Sequence, residues 1–401
     1  MVRGLAALLV LVLCVHASTS EEAGRRGGIT THERILRDGY PSEYYDVTTE
    51  DGYILQINRI PRGRNDFNNF RGRPVVFLMH GLQGSANSYI GIGPENSIAY
   101  VLANVGFDVW IGNARGVEQS RRHVSLDPDG LFSKRSFWDF TFEEIALIDL
   151  PTMIDFVLNF TNQQKLHYVG HSQGGTVFLI LNSRKPEYNN KFISAHLLAG
   201  VGYQNHFPSK ILTKAADDVD QIYSLARLVG VVELLGPGKF SFSEDIEEIK
   251  EKVQEYQSRG LISLILENLI AAIENALDEL SRGKEMVAGA ALKQYGHFGQ
   301  NIRDKRFRSW DYGILENLIR YGRITPPDYN LRNINVDTVM HYTVGDNLLH
   351  ERDVLAMARH MPNCKVRRVA RRSFSHTDFV MSADSRELVT DFIVDDLVRR
   401  V

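Results

Sequence analysis

Serine, aspartate and histidine residues follow one another in this chain in an order that suits nucleophilic catalysis. Ser172 is the centre of the sequence Gly-His-Ser-Gln-Gly at residues 170–174, between an apolar run that predicts a strand and another that predicts a helix. This context is typical of a nucleophile elbow, in which glycines let a sharp turn close around a serine. A serine hydroxyl needs a base to take its proton, and the base needs a carboxylate to orient it.

Candidates for the base and the acid lie near the end of the chain. Asp346 follows a strand predicted at 339–344, and His376 follows a strand predicted at 365–369. One chain order in which such triads occur is serine, acid, histidine, each at the C-terminal end of a strand. We therefore expect Ser172 as nucleophile, His376 as base and Asp346 as acid.

Several rival residues remain open for these roles. The acid could also be Asp353 or Asp378, although Asp378 lies so close to His376 in sequence that an exposed or supporting role fits it better. His171 adjoins the serine, but an elbow aims neighbouring side chains elsewhere, so we interpret it as structural or pocket-lining. Three further histidines lack a position at a strand end: His341, His350 and His360.

Acyl transfer at a serine also requires two N–H groups aimed at the developing oxyanion. The backbone N–H of Gln173, the residue after the serine, is one candidate. The other is Leu82 in His-Gly-Leu at 80–82, after the apolar strand predicted at 74–79, although His-Gly is also an ordinary strand exit. No spacing of His, Asp or Glu resembles a metal site, and this chemistry needs neither a metal nor a cofactor.

Strands and helices alternate over the first half of the chain. Residues 44–49 and 53–60 predict an antiparallel hairpin at a sheet edge, and residues 107–111 and 193–199 predict further strands. Helices are expected at 97–105, at 149–158 and after the elbow. This alternation predicts an α/β fold with a mostly parallel, doubly wound sheet.

From about residue 205 to residue 327 the pattern becomes helical, and strand character returns only after it. Apolar residues at helical spacing form a stripe between Ile262 and Leu280. Such a stripe either packs against neighbouring helices or covers an active site or meets lipid. A last amphipathic helix is expected at about 387–398.

The ends and the composition of the chain limit its cellular context. Residues 1–20 combine a basic start, a short apolar run and small residues, which predicts a secretory signal peptide cleaved after Ala17 or Ser20 rather than an uncleaved anchor. No later stretch is long and apolar enough to span a membrane, and a net charge of −3 gives no indication of nucleic-acid binding. Cys364 is interpreted as an inert strand residue, and Asn159 begins the sequon Asn-Phe-Thr.

Many short motifs together resemble the acid lipase family of animals, which includes gastric and lysosomal acid lipases and insect relatives. The resemblance covers nearly the whole mature chain. It rests on DGYIL (51–55), HGL (80–82), PENSIA (94–99), GFDVWIGNARG (106–116), SRRH (120–123), FWDF (137–140), DLP (149–151), YVGHSQG (168–174), DYG (311–313), PPDY (326–329) and HTDF (376–379). It implies an α/β-hydrolase fold, the triad and oxyanion donors named above, and a helical cap with a lid over the pocket.

The resulting hypothesis is a secreted or lysosomal serine lipase that hydrolyses neutral lipid esters, triacylglycerols or sterol esters, at a lipid–water interface. Its expected parts are the signal peptide (1–20), a hydrolase core in two segments (21–204 and 328–401) and the cap and lid (205–327). Two alternatives stay open: a non-catalytic lipid-binding protein on the same fold, and an esterase for small soluble esters.

Overall fold

The structure of the 401-residue chain is a computed structural model that describes residues 29–68, 72–217, 219–228, 230–234, 236, 251 and 288–401. The predicted signal peptide (1–20) and the predicted apolar stripe (262–280) lie outside the described residues. Within the part of the chain that is described, no helix combines the length and the apolar character needed to cross a bilayer.

Ten strands are present in the described residues. They are β1 (Glu43–Thr48), β2 (Ile54–Ile60), β3 (Val75–Met79), β4 (Asp108–Gly112), β5 (Leu166–His171), β6 (Phe192–Leu198), β7 (Glu233–Leu234), β8 (Ala290–Ala291), β9 (Thr338–Tyr342) and β10 (Cys364–Arg368). Every residue of β3, β4 and β5 is buried. A strand covered on both faces favours a near-continuous apolar run, which β3 has throughout and which β4 and β5 have in most of their residues.

Eight of these strands form one sheet in the order β1-β2-β4-β3-β5-β6-β9-β10. The pairs β1/β2 and β2/β4 are antiparallel, and all other neighbours in this sheet are parallel. The predicted α/β class, the mostly parallel sheet and the antiparallel edge hairpin are therefore confirmed. Because β3 lies between β4 and β5, the strand order reverses beside β3, and ligands of such sheets bind at this kind of reversal.

Helices connect the strands and cover the sheet. The α-helices among the described residues are Thr31–Arg37, Ile98–Asn104, Lys134–Phe137, Phe142–Glu144, Leu150–Thr161, Gln173–Arg184, Lys210–Ala216, Val219–Leu228, Leu292–Asp304, Ile314–Tyr321, Glu351–His360, Asp378–Met381 and Asp391–Val398. Single π-helical turns at Ile145–Asp149 and Arg386–Thr390 precede two of them. The helices expected at 149–158 and 387–398 thus exist, the first as Leu150–Thr161 and the second as Asp391–Val398.

The helix Leu150–Thr161 illustrates how the sequence sets an element. Proline stands in its first turn, where a missing N–H costs nothing. Its buried side chains recur at helical spacing on the face toward the sheet, at Met153, Ile154, Val157 and Leu158. The helix ends where Asn162 takes a left-handed conformation with φ 53°.

Arg115, in the loop after β4, is buried and ties this loop to two other segments. Its guanidinium lies 2.6 Å from a carboxylate oxygen of Asp149 and 2.6 Å from one of Asp51. The same group stacks over the ring of Tyr53 at 3.9 Å. A fully buried charge is stable only when it is paired and hydrogen-bonded, so these contacts hold the carboxyl end of β4 in one position.

Within residues 205–327, the described part contains the helices Lys210–Ala216, Val219–Leu228, Leu292–Asp304 and Ile314–Tyr321 and the two-stranded ribbon of β7 and β8. The ribbon is joined to the core by Arg121, whose guanidinium lies 2.7 Å from a carboxylate oxygen of Glu233. This ion pair joins the ribbon to the loop that follows β4.

Candidate active site

Ser172 stands on a sharp turn between β5 and the helix Gln173–Arg184. Its backbone has φ 51° and ψ −115°, a conformation that residues other than glycine rarely adopt. The turn is so tight that a Cβ atom on Gly174 would lie 2.0 Å from the carbonyl oxygen of Met79 at the end of β3. Only glycine fits at that position, so the glycine of the motif is required by packing.

His376 and Asp346 meet Ser172 at the carboxyl ends of the strands. The Nε2 atom of His376 lies 2.8 Å from Ser172 Oγ, and its Nδ1 atom lies 2.8 Å from Asp346 Oδ2. The side chains of His376 and Asp346 are both 1% exposed. The three residues come from the loops after β5, β9 and β10, as the sequence order predicts.

The geometry defines which nitrogen of His376 carries the proton. An ionised carboxylate only accepts hydrogen bonds, so Nδ1–H donates to Asp346 and Nε2 is left to accept from the Ser172 hydroxyl. The other oxygen of Asp346, Oδ1, accepts from the backbone N–H groups of Leu348 at 2.7 Å and Leu349 at 2.9 Å. Both carboxylate oxygens of Asp346 therefore have hydrogen-bond partners, and His376 Nε2 is placed to accept the proton of the Ser172 hydroxyl.

The two rival carboxylates bond elsewhere. Asp353 lies with one oxygen 2.8 Å from His206 Nδ1 and with the other 2.8 Å from the backbone nitrogen of His206. Asp378 accepts from the backbone N–H of Ser375 at 2.6 Å. The structure thus brings Asp346, and neither of the others, to His376 Nδ1.

The other histidines bond to partners away from Ser172. His341 Nε2 lies 3.0 Å from Nδ1 of His196 on the neighbouring strand, and His350 accepts from a backbone N–H at the start of its own helix. His360 Nδ1 lies 2.7 Å from the hydroxyl of Tyr203.

The side chain of His171 is hydrogen-bonded to the backbone of His376. Its Nε2 donates to the backbone carbonyl of His376 at 2.9 Å, and its backbone N–H donates to the Tyr89 hydroxyl at 3.1 Å. Burial lowers the pKa of His171 to about 3, and the neighbouring His376 acts in the same direction. His171 is therefore neutral at physiological pH and acts as a hydrogen-bond donor at a fixed position.

The loop after β3 lies directly against the nucleophile. A Cβ atom on Gly81 would be 3.0 Å from Ser172 Cβ. His80 Nε2 accepts from the backbone N–H of Ala114 at 3.1 Å, so its proton is on Nδ1, which donates to the Gly81 carbonyl at 2.7 Å. Burial lowers the pKa of His80 to about 4, which keeps this histidine neutral. The chain at Leu82, the predicted oxyanion donor, is anchored in this way.

Gln173 begins the helix after the nucleophile, where the first N–H groups have no partner within the helix. Its side chain is buried and donates from Nε2 to Oε1 of Gln294 at 2.8 Å. Gln294 belongs to the helix Leu292–Asp304, so this contact links the predicted oxyanion position to the segment predicted as a cap.

The loop contacts of His80, His171 and Tyr89 were not expected from the sequence. The sequence offers no signal for them, because most of the partners are backbone atoms and several of them are distant in sequence. Among the described residues, no group of three His, Cys, Asp or Glu side chains could hold a metal ion. Cys364 begins β10, and burial raises the pKa of its thiol to about 12, so the thiol stays protonated. Asn159 is exposed on the last turn of its helix.

Two family descriptions match this chain. Residues 31–93 match the family described as a partial alpha/beta-hydrolase lipase region, and residues 74–222 match the alpha/beta hydrolase fold. Together they span the hairpin, the loop after β3 and the nucleophile elbow.

Named relatives share about a third of their residues with nearly the whole chain. Lipase 3 of Drosophila melanogaster is 34% identical over 386 residues, which cover 93% of this chain and 93% of that protein. Lipase 1 of the same organism is 35% identical over 90% of this chain and 78% of its own length. Gastric triacylglycerol lipase of Bos taurus is 35% identical over 96% of this chain and 97% of its own length. The chain therefore belongs to the animal acid lipase family and is a carboxylic ester hydrolase with an α/β-hydrolase fold.

Proposed function

We propose that this enzyme hydrolyses neutral lipid esters, triacylglycerols among them, with Ser172 as nucleophile, His376 as base and Asp346 as acid. The observation that supports this most directly is the unbroken chain of hydrogen bonds from Asp346 through His376 to Ser172, each 2.8 Å long. The substrate class follows the names of relatives that cover most of the chain, the gastric triacylglycerol lipases of Bos taurus and Homo sapiens.

The reaction proceeds through an acyl-enzyme. Ser172 Oγ attacks the ester carbonyl carbon while His376 Nε2 takes the hydroxyl proton, and Asp346 stabilises the resulting imidazolium. The oxyanion accepts hydrogen bonds from the backbone N–H groups of Leu82 and Gln173, and one such donor contributes about 3 kcal/mol to the transition state. The intermediate expels the alcohol, which receives the proton from His376. Water then attacks the acyl carbonyl carbon while His376 takes its proton. The bond to Ser172 Oγ breaks as His376 returns that proton to Ser172, and the fatty acid is released.

An exposed apolar surface supports action at a lipid–water interface. The helix Ile314–Tyr321 exposes Ile314 (67%), Leu315 (79%), Leu318 (52%) and Ile319 (78%) to solvent. Contiguous apolar surface of this kind is unusual on a soluble protein and marks an interaction site. Just before this helix, the ring of Tyr312 lies 4.8 Å from Lys293 Nζ. Lys293 is followed in the chain by Gln294, which accepts a hydrogen bond from the side chain of Gln173.

The proposal also assigns a role to each part of the chain. Residues 21–204 and 328–401 form the hydrolase core, residues 205–327 form a cap and lid over the pocket, and residues 1–20 direct the protein to the secretory pathway and hence outside the cell or to the lysosome. The exposed side chain of Asn159 is accessible for glycosylation in that pathway.

Hydrolysis with and without Ser172 tests the proposed function. We expect the mature enzyme to release fatty acid from emulsified triacylglycerol and from a short soluble ester, and Ser172→Ala to lose about 10⁶-fold in kcat on both. The matched control is Ser194→Ala, because Ser194 Oγ also bonds a histidine, His167 Nδ1 at 2.8 Å, but lies on β6. Activity that survives Ser172→Ala contradicts the mechanism, and a native protein that binds lipid without turnover favours the binding-protein alternative.

A second pair of substitutions tests the interface. Leu315→Glu combined with Ile319→Glu places two charges on the exposed face of the helix. We expect adsorption to a triacylglycerol emulsion to weaken and hydrolysis of the soluble ester to stay within about twofold of the native rate, because the triad is untouched. An equal loss of activity on both substrates would mean that this face of the helix contributes to folding and not to lipid binding. A rate on emulsions no higher than on soluble esters, in the native enzyme, favours the soluble-ester alternative.

A further inference from the structure

Gln83, the residue after the proposed oxyanion donor Leu82, carries a buried amide without a partner. The residue is 4% exposed, and neither its Nε2 nor its Oε1 has a hydrogen-bond partner. Most buried polar side-chain atoms in proteins are paired, because leaving one unpaired costs stability. The Gln83 amide, whose NH₂ group and oxygen both lack a partner, therefore lowers the stability of the protein unless another molecule pairs with it.

The backbone at Gln83 is held from two sides. Gln83 has φ 61°, the left-handed conformation that glycine or asparagine usually occupies, within a turn closed by a hydrogen bond from Gly84 N–H to the Gly81 carbonyl at 3.0 Å. The carbonyl of Gln83 accepts from the backbone N–H of Ala288 at 2.8 Å. The conformation of the turn is thus fixed although it does not suit the residue that stands there.

Other polar side chains in the same loop already have partners. His80 uses both ring nitrogens, for Ala114 and for the Gly81 carbonyl, and Ser85 Oγ accepts from a backbone N–H of the next turn. Gln173, the residue after the nucleophile, is also buried with its Oε1 unpaired, while its Nε2 bonds to Gln294. The side chains of Gln83, which follows one proposed oxyanion donor, and of Gln173, which is the other, thus leave one amide NH₂ group and two amide oxygens unpaired.

The chemistry of a lipid ester limits what could pair with Gln83. The acyl chain is hydrocarbon, and the ester carbonyl is directed at backbone N–H groups in the proposed mechanism. Any further hydrogen-bonding group must therefore come from the alcohol half of the substrate. A hydroxyl or a second ester oxygen on a glycerol backbone offers such a group, whereas the ring system of a sterol offers none.

We propose that the Gln83 amide binds the oxygen substituents of a glycerol alcohol and thereby makes the enzyme selective for acylglycerols over esters of apolar alcohols. This inference rests on the proposed function, since it assigns a substrate class to the same site. A site that presents an amide to a substrate oxygen disfavours a substrate without that oxygen, because the buried amide then stays unpaired. The expected preference that depends on Gln83 is about 10- to 100-fold in kcat/KM.

The experiment compares two esters of the same fatty acid, a 1,2-diacylglycerol and a cholesteryl ester, in mixed micelles of the same detergent. The quantity measured is the ratio of their kcat/KM values, because this ratio does not depend on the fraction of enzyme that is folded. Gln83→Met keeps the shape of the side chain and removes the amide. Gln83→Gly also removes the backbone strain. Both variants should lower the ratio by about 10- to 100-fold, chiefly through slower turnover of the diacylglycerol.

A matched control is Gln119→Met. The Oε1 of Gln119 is also buried and unpaired, but its Nε2 bonds to Thr31 on the first helix. This variant should leave the ratio unchanged. An unchanged ratio in both Gln83 variants overturns the inference, and so does an equal loss on both esters, which would assign Gln83 to the shared ester group or to folding. If the native enzyme showed no turnover that depends on Ser172, the proposed function would be wrong, and this inference, which rests on it, would be wrong as well.

Discussion

Replacing Asp346 with asparagine is expected to abolish most of the activity without disturbing the fold. Asp346 Oδ1 accepts two backbone N–H groups, from Leu348 and Leu349, and Oδ2 accepts from His376 Nδ1. In the variant, only the amide oxygen can satisfy the two backbone donors, so the NH₂ group must face His376. The imidazole then accepts at Nδ1 and carries its proton on Nε2, where it cannot take the proton of Ser172.

The size of the effect follows from this change of tautomer. A triad whose histidine is held in the wrong tautomer loses about 10⁴-fold in kcat, which corresponds to about 5.5 kcal/mol of transition-state free energy. Stability should change little, because the two backbone hydrogen bonds to Oδ1 are kept. The assay is kcat on a saturating soluble ester, together with the thermal midpoint of each variant.

Asp353→Asn is the matched control. Asp353 is buried, and it bonds both Nδ1 and the backbone N–H of a histidine, His206, but it does not contact His376. We expect its kcat to stay within about threefold of the native value, whatever it costs in stability. The reasoning is refuted if folded Asp346→Asn keeps more than about a tenth of the native kcat, or if Asp353→Asn causes the larger loss.

Three further predictions concern stability. Arg115→Met leaves the buried charge of Asp149 unpaired and should lower the unfolding free energy by about 3–5 kcal/mol in urea titrations; a change below about 1 kcal/mol would contradict this. Gly174→Ala places a methyl group 2.0 Å from a backbone oxygen of β3, so we expect a loss of more than about 2 kcal/mol, with circular dichroism showing whether the native state persists. Burial lowers the pKa of His80 to about 4 and that of His171 to about 3, from 6.5. Both stay neutral in the fold while the unfolded chain binds protons, so the unfolding free energy should fall between pH 6.5 and pH 4 by up to about 1.4 kcal/mol per pH unit for each histidine; a flat profile in urea titrations at several pH values would exclude this.

The class of fold could be predicted because its signals are local. The segments that form β3, β4 and β5 are short and mostly apolar, and such runs indicate strands buried on both faces whatever the rest of the chain does. The ends of the strands were predicted less accurately than the strands themselves. The strand expected at 365–369 is Cys364–Arg368, because its register is set by pairing with β9, where Cys364 lies opposite Thr338.

The candidate site was predictable in its residue types and chain order. Ser172 could be identified because an elbow needs glycines next to the serine, and His376 and Asp346 because each follows a predicted strand. The choice among Asp346, Asp353 and Asp378 stayed open, since it depends on the paths of loops that no local pattern describes. The structure brings Asp346 to His376, while the catalytic roles of all three triad residues await the experiments above.

The sequence by itself determined the strands, the elbow and the order of the reactive residues, since these depend on neighbours in the chain. Only the tertiary structure decided which groups support them: His171 on the carbonyl of His376, His80 on the loop at Leu82, and the unpaired amide of Gln83. The physical reason is that a hydrogen bond forms over about 3 Å between groups that a folded chain brings together from any separation in sequence. Whether a buried polar atom finds such a partner is known only when every loop around it has a position.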